Sequence, residues 1–163
     1  MKVIILSDTH LSSMEGLDGR LIELIKKADA VIHAGDYTEL GFFEELKEIS
    51  SSFYGVCGNM DSYELKDRLE PVLIIELEGV RIGITHPIEG GPPLWTRKRA
   101  RGKFEGVDLV IYGHTHFPDE SYEDGILCFN PGSATGAFPA FRKTYGVLEV
   151  KGGEIKELKV VKL

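Results

Sequence analysis

The sequence is poor in cysteine, with Cys57 and Cys128 as the only two among 163 residues. They lie far apart in apolar segments and form no C-x-x-C pattern, so we expect two reduced, buried thiols and no disulfide framework. Long hydrophobic runs are missing as well, and no segment approaches the ~20 apolar residues that span a bilayer. The opening MKVIILSDTH lacks the small-residue cleavage site of a signal peptide. These absences predict a cytoplasmic protein with no membrane-spanning segment.

The chain also has no excess of positive charge. Its 19 basic residues face 26 acidic ones, which gives a formal net charge of −7. Such a balance argues against general adhesion to nucleic acid or to membranes, so nucleic acid is expected only as a substrate. The remaining composition, 42% hydrophobic and 28% charged, is that of a soluble globular protein. Its length fits one domain over residues 1–163 and leaves the formation of a homo-oligomer open.

The first sixty residues alternate between predicted strands and helices. Continuous apolar runs typical of buried strands contrast with segments whose apolar residues recur at helical spacing, such as Leu17, Leu21, Leu24 and Ile25. In chain order the segments are the strand KVIILS, the helix LDGRLIELIKKAD, the strand AVIHAGD, the helix GFFEELKEIS and the strand FYGVCGN. This alternation predicts right-handed crossovers and a largely parallel sheet.

The pattern changes after Asn59. The segment VLIIELEGVRIGITH, residues 72–86, is typical of a hairpin that turns at Glu78 and Gly79. LWTRKRARGKF predicts a helix and VDLVIYGH a buried strand. Three later segments are expected to be antiparallel strands, with the last pair joined at Gly152 and Gly153: SYEDGILCFN, TYGVLEVKG and EIKELKVVKL. Together these elements predict an α/β domain with two sheets packed together and helices outside.

Polar side chains follow five of the predicted strands at the point where each strand ends. In an open α/β sheet the carboxyl ends of parallel strands share one edge, and ligands bind there. One such residue alone is more often a cap or a turn residue. Accidental convergence of all of them is expected only about once in twenty cases. The residues are Asp8, His10, Asp36, Asn59, Asp61, His86, His114 and His116.

These side chains offer carboxylate, imidazole and amide ligands but no thiolate. That set suits borderline-hard divalent ions such as Mn, Fe, Zn, Ni or Co. Eight ligands are too many for one ion and suitable for two. The alternation in GHTH sends His114 and His116 to the same side of the strand end, where they can serve neighbouring ions. Two ions about 3.5–4 Å apart can hold a bridging hydroxide for in-line attack on phosphorus.

The ordered series D-x-H, GD, GN-x-D, H and GH-x-H resembles the calcineurin-like metallophosphoesterase superfamily. The short chain and the NPGS motif at 130–133 resemble its small single-domain phosphodiesterase branch, which includes the retromer subunit of the same fold. The resemblance implies a four-layer αββα sandwich, with two mixed sheets flanked by helices and a metal site at the carboxyl ends of the strands. The cofactors that it implies are two divalent ions, with Mn expected before Ni, Zn, Fe or Co.

The resemblance also implies a role for each matching residue. The first ion would be held by Asp8, His10, Asp36 and His116. Asp36 would bridge to a second ion, whose other ligands would be Asn59, His86 and His114. The catalytic residues that the resemblance implies are Asp8, Asp36, Asn59 and His114. The implied reaction is hydrolysis of a small phosphate ester, more specifically of a diester.

Two departures from the family pattern bear on activity. Met60 follows the GN asparagine, where many members have a histidine that acts as an acid or contacts phosphate, and methionine cannot donate a proton. Pro87 and Ile88 follow His86, where glycine and often a further histidine are common. These losses support a competing hypothesis, a weakly active or inactive metal-binding scaffold for protein–protein interaction. A nucleic-acid binder is the weakest hypothesis because the chain is acidic.

Three other features have two interpretations each. His33 lies inside a strand and is expected to be a satisfied strand histidine, or a residue that supports the site from behind, more than a ligand. Asp61 either orients the ligand loop or serves an ordinary turn. The NPGS motif either brings backbone amides to the metals or forms a turn between strands.

The segment TRKRARGKF is strongly basic. A solvated helix face is the expected role of such a run. The alternative is a guide for an anionic substrate, with the stretch Gly90-Gly91-Pro92-Pro93 allowing the chain to swing. Trp95, the only tryptophan, would stack on a base or pin this helix to the core. The basic residues are Arg97, Lys98, Arg99, Arg101 and Lys103.

Overall fold

Helices and strands form in the order that the apolar pattern predicts. The computed structural model describes residues 1–89 and 92–163. Its strands are β1 (Lys2–Leu6), β2 (Ala30–His33), β3 (Phe53–Gly55), β4 (Val72–Leu77), β5 (Val80–Thr85), β6 (Leu109–Tyr112), β7 (Asp119–Glu123), β8 (Ile126–Asn130), β9 (Thr144–Lys151) and β10 (Glu154–Lys162). Its helices are α1 (Gly19–Lys27), α2 (Leu40–Ile49), α3 (Tyr63–Arg68) and α4 (Pro93–Arg101).

The segment SYEDGILCFN, expected as one strand, instead divides between the antiparallel strands β7 and β8. Helix α3 is a second feature that the sequence pattern does not predict. It begins after Ser62, whose side chain accepts a hydrogen bond from the backbone N–H of Leu65. Serine is a favoured N-cap residue because its oxygen satisfies an otherwise unpaired N–H of the first turn. This cap was the available signal, but six residues are too few for a helical repeat to stand out.

The first sheet confirms the parallel core predicted for the N-terminal half of the chain. Its strand order is β10-β9-β1-β2-β3, and β1, β2 and β3 are parallel. Helices α1 and α2 provide the crossovers between them. Strand β9 pairs antiparallel with β1, and β10 pairs antiparallel with β9 at the edge.

The second sheet has the order β4-β5-β6-β8-β7. The hairpin β4–β5 turns at Glu78 and Gly79 as predicted. The expectation that all C-terminal strands form one antiparallel run is wrong, because β8 is parallel to β6 and β9 joins the other sheet. Strand β7 lies at the edge of the sheet and runs opposite to β6. The chain then reverses at the β7–β8 hairpin and β8 lies between β7 and β6, so β8 runs parallel to β6.

Apolar side chains fill three layers. The central layer joins the inner faces of both sheets through residues such as Ile5, Ile32, Ile84, Ile111 and Phe129. A second layer packs α1, α2 and α3 on the outside of the first sheet, and a third packs α4 on the outside of the second. Burying one such side chain stabilises the fold by about 1.5–3 kcal/mol. The arrangement is the expected four-layer sandwich, with two mixed sheets flanked by helices.

The packing of the two sheets places five strand ends at one edge. The loops after β1 and β2 pair through Asp8 N with Gly35 O at 3.0 Å and through His10 N with Asp36 O at 3.1 Å. The loop after β6 joins them when His114 N donates to the Asp8 carboxylate. Within the described ranges, every helix is too short or too polar to cross a bilayer.

Candidate metal centre

The first group of ligands lies where the loops after β1, β2 and β6 meet. One ligand atom from each of Asp8, His10, Asp36 and His116 lies within 4.8 Å of the other three. His116 Nε2 is 3.4 Å from Asp8 Oδ1 and 3.2 Å from His10 Nε2. His10 Nε2 is in turn 3.7 Å from Asp36 Oδ2. Two carboxylates and two imidazoles at these distances form a set that a borderline divalent ion can bind.

The Asp36 carboxylate also faces a second group of donors. Its Oδ2 is 3.4 Å from His86 Nε2, and the rings of His86 and His114 are 5.3 Å apart between centroids. His114 Nδ1 lies 2.9 Å from Asn59 Oδ1. The seven side chains that the family resemblance implies as ligands therefore lie together, and Asp36 contacts donors of both groups.

Two of the imidazoles are oriented by backbone carbonyls. His86 Nδ1 donates to Ala34 O at 2.7 Å, and His116 Nδ1 donates to Ala137 O at 2.9 Å. In the neutral ring each Nε2 then carries the lone pair, and each faces a carboxylate. His86 Nε2 is buried and has no hydrogen-bond partner among the described residues. A buried nitrogen with an unused lone pair fits a cation at this position.

The backbone of the ligand loops is unusual. Residues other than glycine seldom adopt positive φ, although Asp and His do so more often than most. Conformations of this kind cost about 1–3 kcal/mol each when they are strained, and they cluster at functional sites. Five of the seven implied ligands have a positive φ angle: Asp8 at 51°, His10 at 48°, Asp36 at 60°, His114 at 84° and His116 at 61°.

Asp61 holds the loops after β2 and β3 together. Its Oδ1 accepts a hydrogen bond from Thr38 N at 2.8 Å, and its Oδ2 accepts from Gly58 N at 2.7 Å and from Asp36 N at 3.2 Å. The side chain is buried. Of its two interpretations, orientation of the ligand loops is the one that these contacts support.

The NPGS motif forms a turn whose side chains support the site. Asn130 Oδ1 accepts from Gly132 N at 2.8 Å, and Asn130 Nδ2 donates to Gly113 O at 3.3 Å. Ser133 Oγ donates to Asp8 O at 2.7 Å. The motif therefore fixes the loops after β1 and β6 through its side chains, which agrees with the turn interpretation.

Close approach of two loops explains the glycine of the GN motif. A Cβ atom built on Gly58 would collide with Oδ1 and the backbone N of Asp36. We expect Gly58→Ala to displace the Asp36 carboxylate, to lower the free energy of unfolding by about 1–3 kcal/mol and to weaken metal binding. Urea unfolding and a metal titration measure the two effects.

The matched control is Gly19→Ala. Gly19 is the first residue of α1, and nothing lies within 4 Å of a Cβ built there. This variant should be as stable as the parent or slightly more so, because alanine lowers the conformational entropy of the unfolded chain. Equal behaviour of the two variants would contradict the steric explanation.

The charges of the metal-free site are strongly coupled. Burial lowers the pKa of His86, but its contact with Asp36 and the charges of Asp8 and Asp36 outweigh burial and raise that pKa to about 9. Burial raises the pKa of Asp36, but His86 outweighs it and lowers that pKa to about 2. Burial also raises the pKa of Asp8, and burial with the nearby His86 lowers the pKa of His114. One imidazolium thus compensates the buried carboxylates when no cation is bound.

Metal binding is expected to depend on pH through His86. Below its pKa of about 9 the ring is protonated, and an ion must displace that proton to reach Nε2. The apparent affinity for Mn²⁺ should therefore rise about tenfold per pH unit from pH 7 and level off near pH 9. Competition with a chelating dye at several pH values measures it. His86→Ala should abolish most of this slope, and an affinity in the parent that is constant from pH 7 to 9 would contradict the assignment.

A cavity of about 370 Å³ opens over these ligands. His10, Asp36, Asn59, His114 and His116 line it, so the donors face an accessible space. Its rim carries two exposed apolar residues, Met60 and Phe138. Phe138 was missed at the level of sequence, because it stands in a loop far along the chain with no pattern to mark it.

His33 lies behind the ligands and not among them. It is fully buried in β2, and its ring stacks on Tyr37 at 3.8 Å between centroids. Its Nε2 lies 3.0 Å from the hydroxyl of Thr9, the residue between Asp8 and His10. The histidine therefore supports the loop after β1 from within its strand, as expected. Its Nδ1 is buried without a hydrogen-bond partner among the described residues, so the expectation of a fully satisfied side chain is wrong.

The basic helix α4 uses part of its charge within the fold. Arg97 forms ion pairs with Asp119 and Glu123 at 3.1 Å each, and Lys103 pairs with Glu89 at 2.9 Å. The two ion pairs of Arg97 connect α4 to β7, so they favour a structural role for this residue over the guidance of an anionic substrate. Trp95 is 58% exposed, so it does not pin the helix to the core. The suggested swing at Gly90-Gly91-Pro92-Pro93 lies partly outside the described residues, which omit positions 90 and 91.

Comparison with known proteins agrees with this geometry. Residues 1–153 match the model of the calcineurin-like phosphoesterase superfamily domain. The chain belongs to this superfamily. A protein of Methanocaldococcus jannaschii named probable metallophosphoesterase is 35% identical over 141 residues, which cover 83% of this chain and 69% of the relative. The superfamily resemblance derived from the five motifs is confirmed.

Solved structures of similar fold extend over the whole chain. One described as a novel archaeal phosphodiesterase is 27% identical, covers 100% of both chains and has a TM-score of 0.76. Vps29 of Chaetomium thermophilum has a TM-score of 0.79, with 100% of this chain and 97% of that chain covered. Its identity is 18%, so the second likeness shows the fold alone.

Proposed function

We propose that this calcineurin-like protein is a dinuclear metal-dependent phosphodiesterase. The observation that carries the proposal is the position of the Asp36 carboxylate, with Oδ2 3.7 Å from His10 Nε2 and 3.4 Å from His86 Nε2. A carboxylate in contact with a histidine of each ligand group is suited to bridge two cations. When bound, two divalent ions would lower the pKa of a water molecule and stabilise charge on the phosphoryl oxygens.

The residues divide between the two ions as the family pattern implies. Asp8, His10, Asp36 and His116 would hold the first ion, with Mn²⁺ expected before Ni, Zn, Fe or Co. Asp36, Asn59, His86 and His114 would hold the second. Besides Asp36, the ligands Asn59 and His114 of this second group also line the open cavity. They are therefore placed to orient a phosphate ester, and with Asp8 and Asp36 they form the proposed catalytic set.

Hydrolysis of matched chromogenic esters tests the function. We expect 4-nitrophenolate release from bis(4-nitrophenyl) phosphate and 4-nitrophenyl phosphate with Mn²⁺, Ni²⁺, Zn²⁺, Co²⁺ or Fe²⁺, and none with excess chelator. Failure with every ion, in protein shown to bind two of them, would overturn the proposal.

A scaffold that binds partners is the second candidate. Met60 lies 57% exposed at the rim of the ligand cavity, where it supplies an apolar surface and no proton. The resemblance of the sequence motifs to the branch that includes the retromer subunit gives the same hypothesis. Stoichiometric binding of two ions without any turnover would favour it.

We further propose that the protein is cytoplasmic, as an enzyme that hydrolyses small phosphate esters.

A further inference from the structure

A second cavity, of about 420 Å³, adjoins the proposed metal centre. His116 lines both cavities, so the two spaces are neighbours. A phosphate ester bound at the metal centre therefore has a neighbouring space toward which a substituent can extend. The volume lies within the range typical of sites for small organic ligands.

The wall of this second cavity is mainly apolar. Phe117, Pro118, Phe141 and Val160 contribute to it. The rings of Phe117 and Phe141 are 5.9 Å apart between centroids, and Phe141 is 88% exposed. An exposed aromatic ring beside another ring offers a surface on which an aromatic group of a ligand can pack.

The charge at this cavity is positive. Arg142 and Lys162 line it, and neither forms an ion pair within the described ranges. The described lining contains no carboxylate, although the whole chain carries a net charge of −7. Unpaired cations at an apolar cavity complement a group that is both aromatic and negatively charged.

We infer that the second cavity is a substrate subsite that receives an aromatic, anionic arm of a phosphodiester whose phosphate lies at the metal centre. The inference rests on the proposed function and specifies its substrate class. The ester that remains attached to phosphorus after hydrolysis is the arm in question. Selectivity would then come from Phe141, Arg142 and Lys162, which lie outside the proposed ligand set.

A series of diesters with one common leaving group tests the subsite. Methyl, phenyl and 4-carboxyphenyl esters of 4-nitrophenyl phosphate release the same 4-nitrophenolate, so they differ only in the arm that stays. We expect kcat/KM for the phenyl ester to exceed that for the methyl ester by about tenfold or more, the scale of added apolar contact in a pocket. The carboxylate should add about threefold, and salt should weaken that increment.

Two variants and one control separate the contributions. Phe141→Ala should reduce the phenyl-to-methyl ratio to below about threefold. The double change Arg142→Gln and Lys162→Gln should remove the carboxylate increment and leave the phenyl-to-methyl ratio. Tyr122→Ala removes another exposed aromatic, 71% exposed on β7, and should alter neither ratio.

Binding of diphenyl phosphate and dimethyl phosphate to the Mn²⁺-loaded protein, measured by calorimetry, gives a readout independent of turnover. Hydrolysis of all three esters with equal kcat/KM would overturn the subsite and leave the phosphodiesterase standing. Absence of hydrolysis, with diphenyl phosphate bound more tightly and this preference lost in Phe141→Ala, would overturn the enzyme and leave the subsite. Equal or absent binding of the two phosphates without hydrolysis would overturn both.

Discussion

Replacing Asp36 with asparagine is expected to abolish hydrolysis. In the parent, Met60 N donates a hydrogen bond to Asp36 Oδ1 at 2.8 Å. The side-chain oxygen of asparagine can accept the same hydrogen bond, so the loop keeps its position. It removes the negative charge that faces both His10 and His86. Loss of a residue that only supports a ligand costs about 10–100-fold in metal affinity or activity, and loss of a carboxylate shared by two ions should exceed about 100-fold. Initial rates and the metal content of the purified protein measure this effect.

Two further variants serve as comparisons for Asp36→Asn. Asn59→Ala removes a neutral oxygen from one group only and should reduce activity less, by about 10–100-fold. Asp124→Asn changes an exposed aspartate in the β7–β8 turn, with φ of 47°, a conformation that asparagine also adopts. It should leave rates and metal content unchanged. Equal, mild losses in Asp36→Asn and Asn59→Ala would show that Asp36 does not bridge.

Activated aryl diesters are expected to be hydrolysed far better than alkyl esters. Met60 lines the cavity over the ligands, at the position where the family resemblance implies a histidine that acts as an acid or contacts phosphate, and its thioether has no proton to give. Water must then protonate an alkoxide, whereas 4-nitrophenolate leaves without help. General acid catalysis is worth about 10²–10⁴-fold, and that range is the expected deficit for alkyl leaving groups.

The variant Met60→His provides the direct test of this explanation. Met60 is 57% exposed, so the change should leave the fold intact. It should raise the rate for alkyl diesters more than the rate for 4-nitrophenyl esters, measured as kcat/KM across leaving groups. A parent protein that prefers an alkyl monoester would show that another residue supplies the proton, and the diesterase proposal would fail.

Much of the fold follows from local pattern. The segments VIIL, AVI and LVIY are apolar or aromatic and are buried within β1, β2 and β6, because both faces of a central parallel strand are covered. The helix α1 likewise follows from the spacing of Leu21 and Ile25. The parallel pairing of β8 did not follow. That pairing depends on which strand β8 lies beside, and nothing within ILCFN records its neighbour.

The candidate site divides in the same way. The residue types and their positions after strands are written in the sequence, so Asp8, His10, Asp36, Asn59, His86, His114 and His116 could be nominated without coordinates. Their chemistry, neutral nitrogen and anionic oxygen donors, is also a property of the residues themselves. The sequence alone was therefore enough to predict a metal-binding site and to nominate its members.

Only the tertiary structure decided how these members meet. The contact between Asp36 and His86 joins residues 50 positions apart in sequence, on two different sheets, and depends on how those sheets pack. The positive φ angles, the role of Asp61 and the apolar cavity beyond His116 depend on the same long-range packing. Local patterns encode which residues are buried and which elements they form, because burial and hydrogen bonding act over a few residues. Distances between loops are set by the whole core, since many weak contacts spread along the chain fix them together.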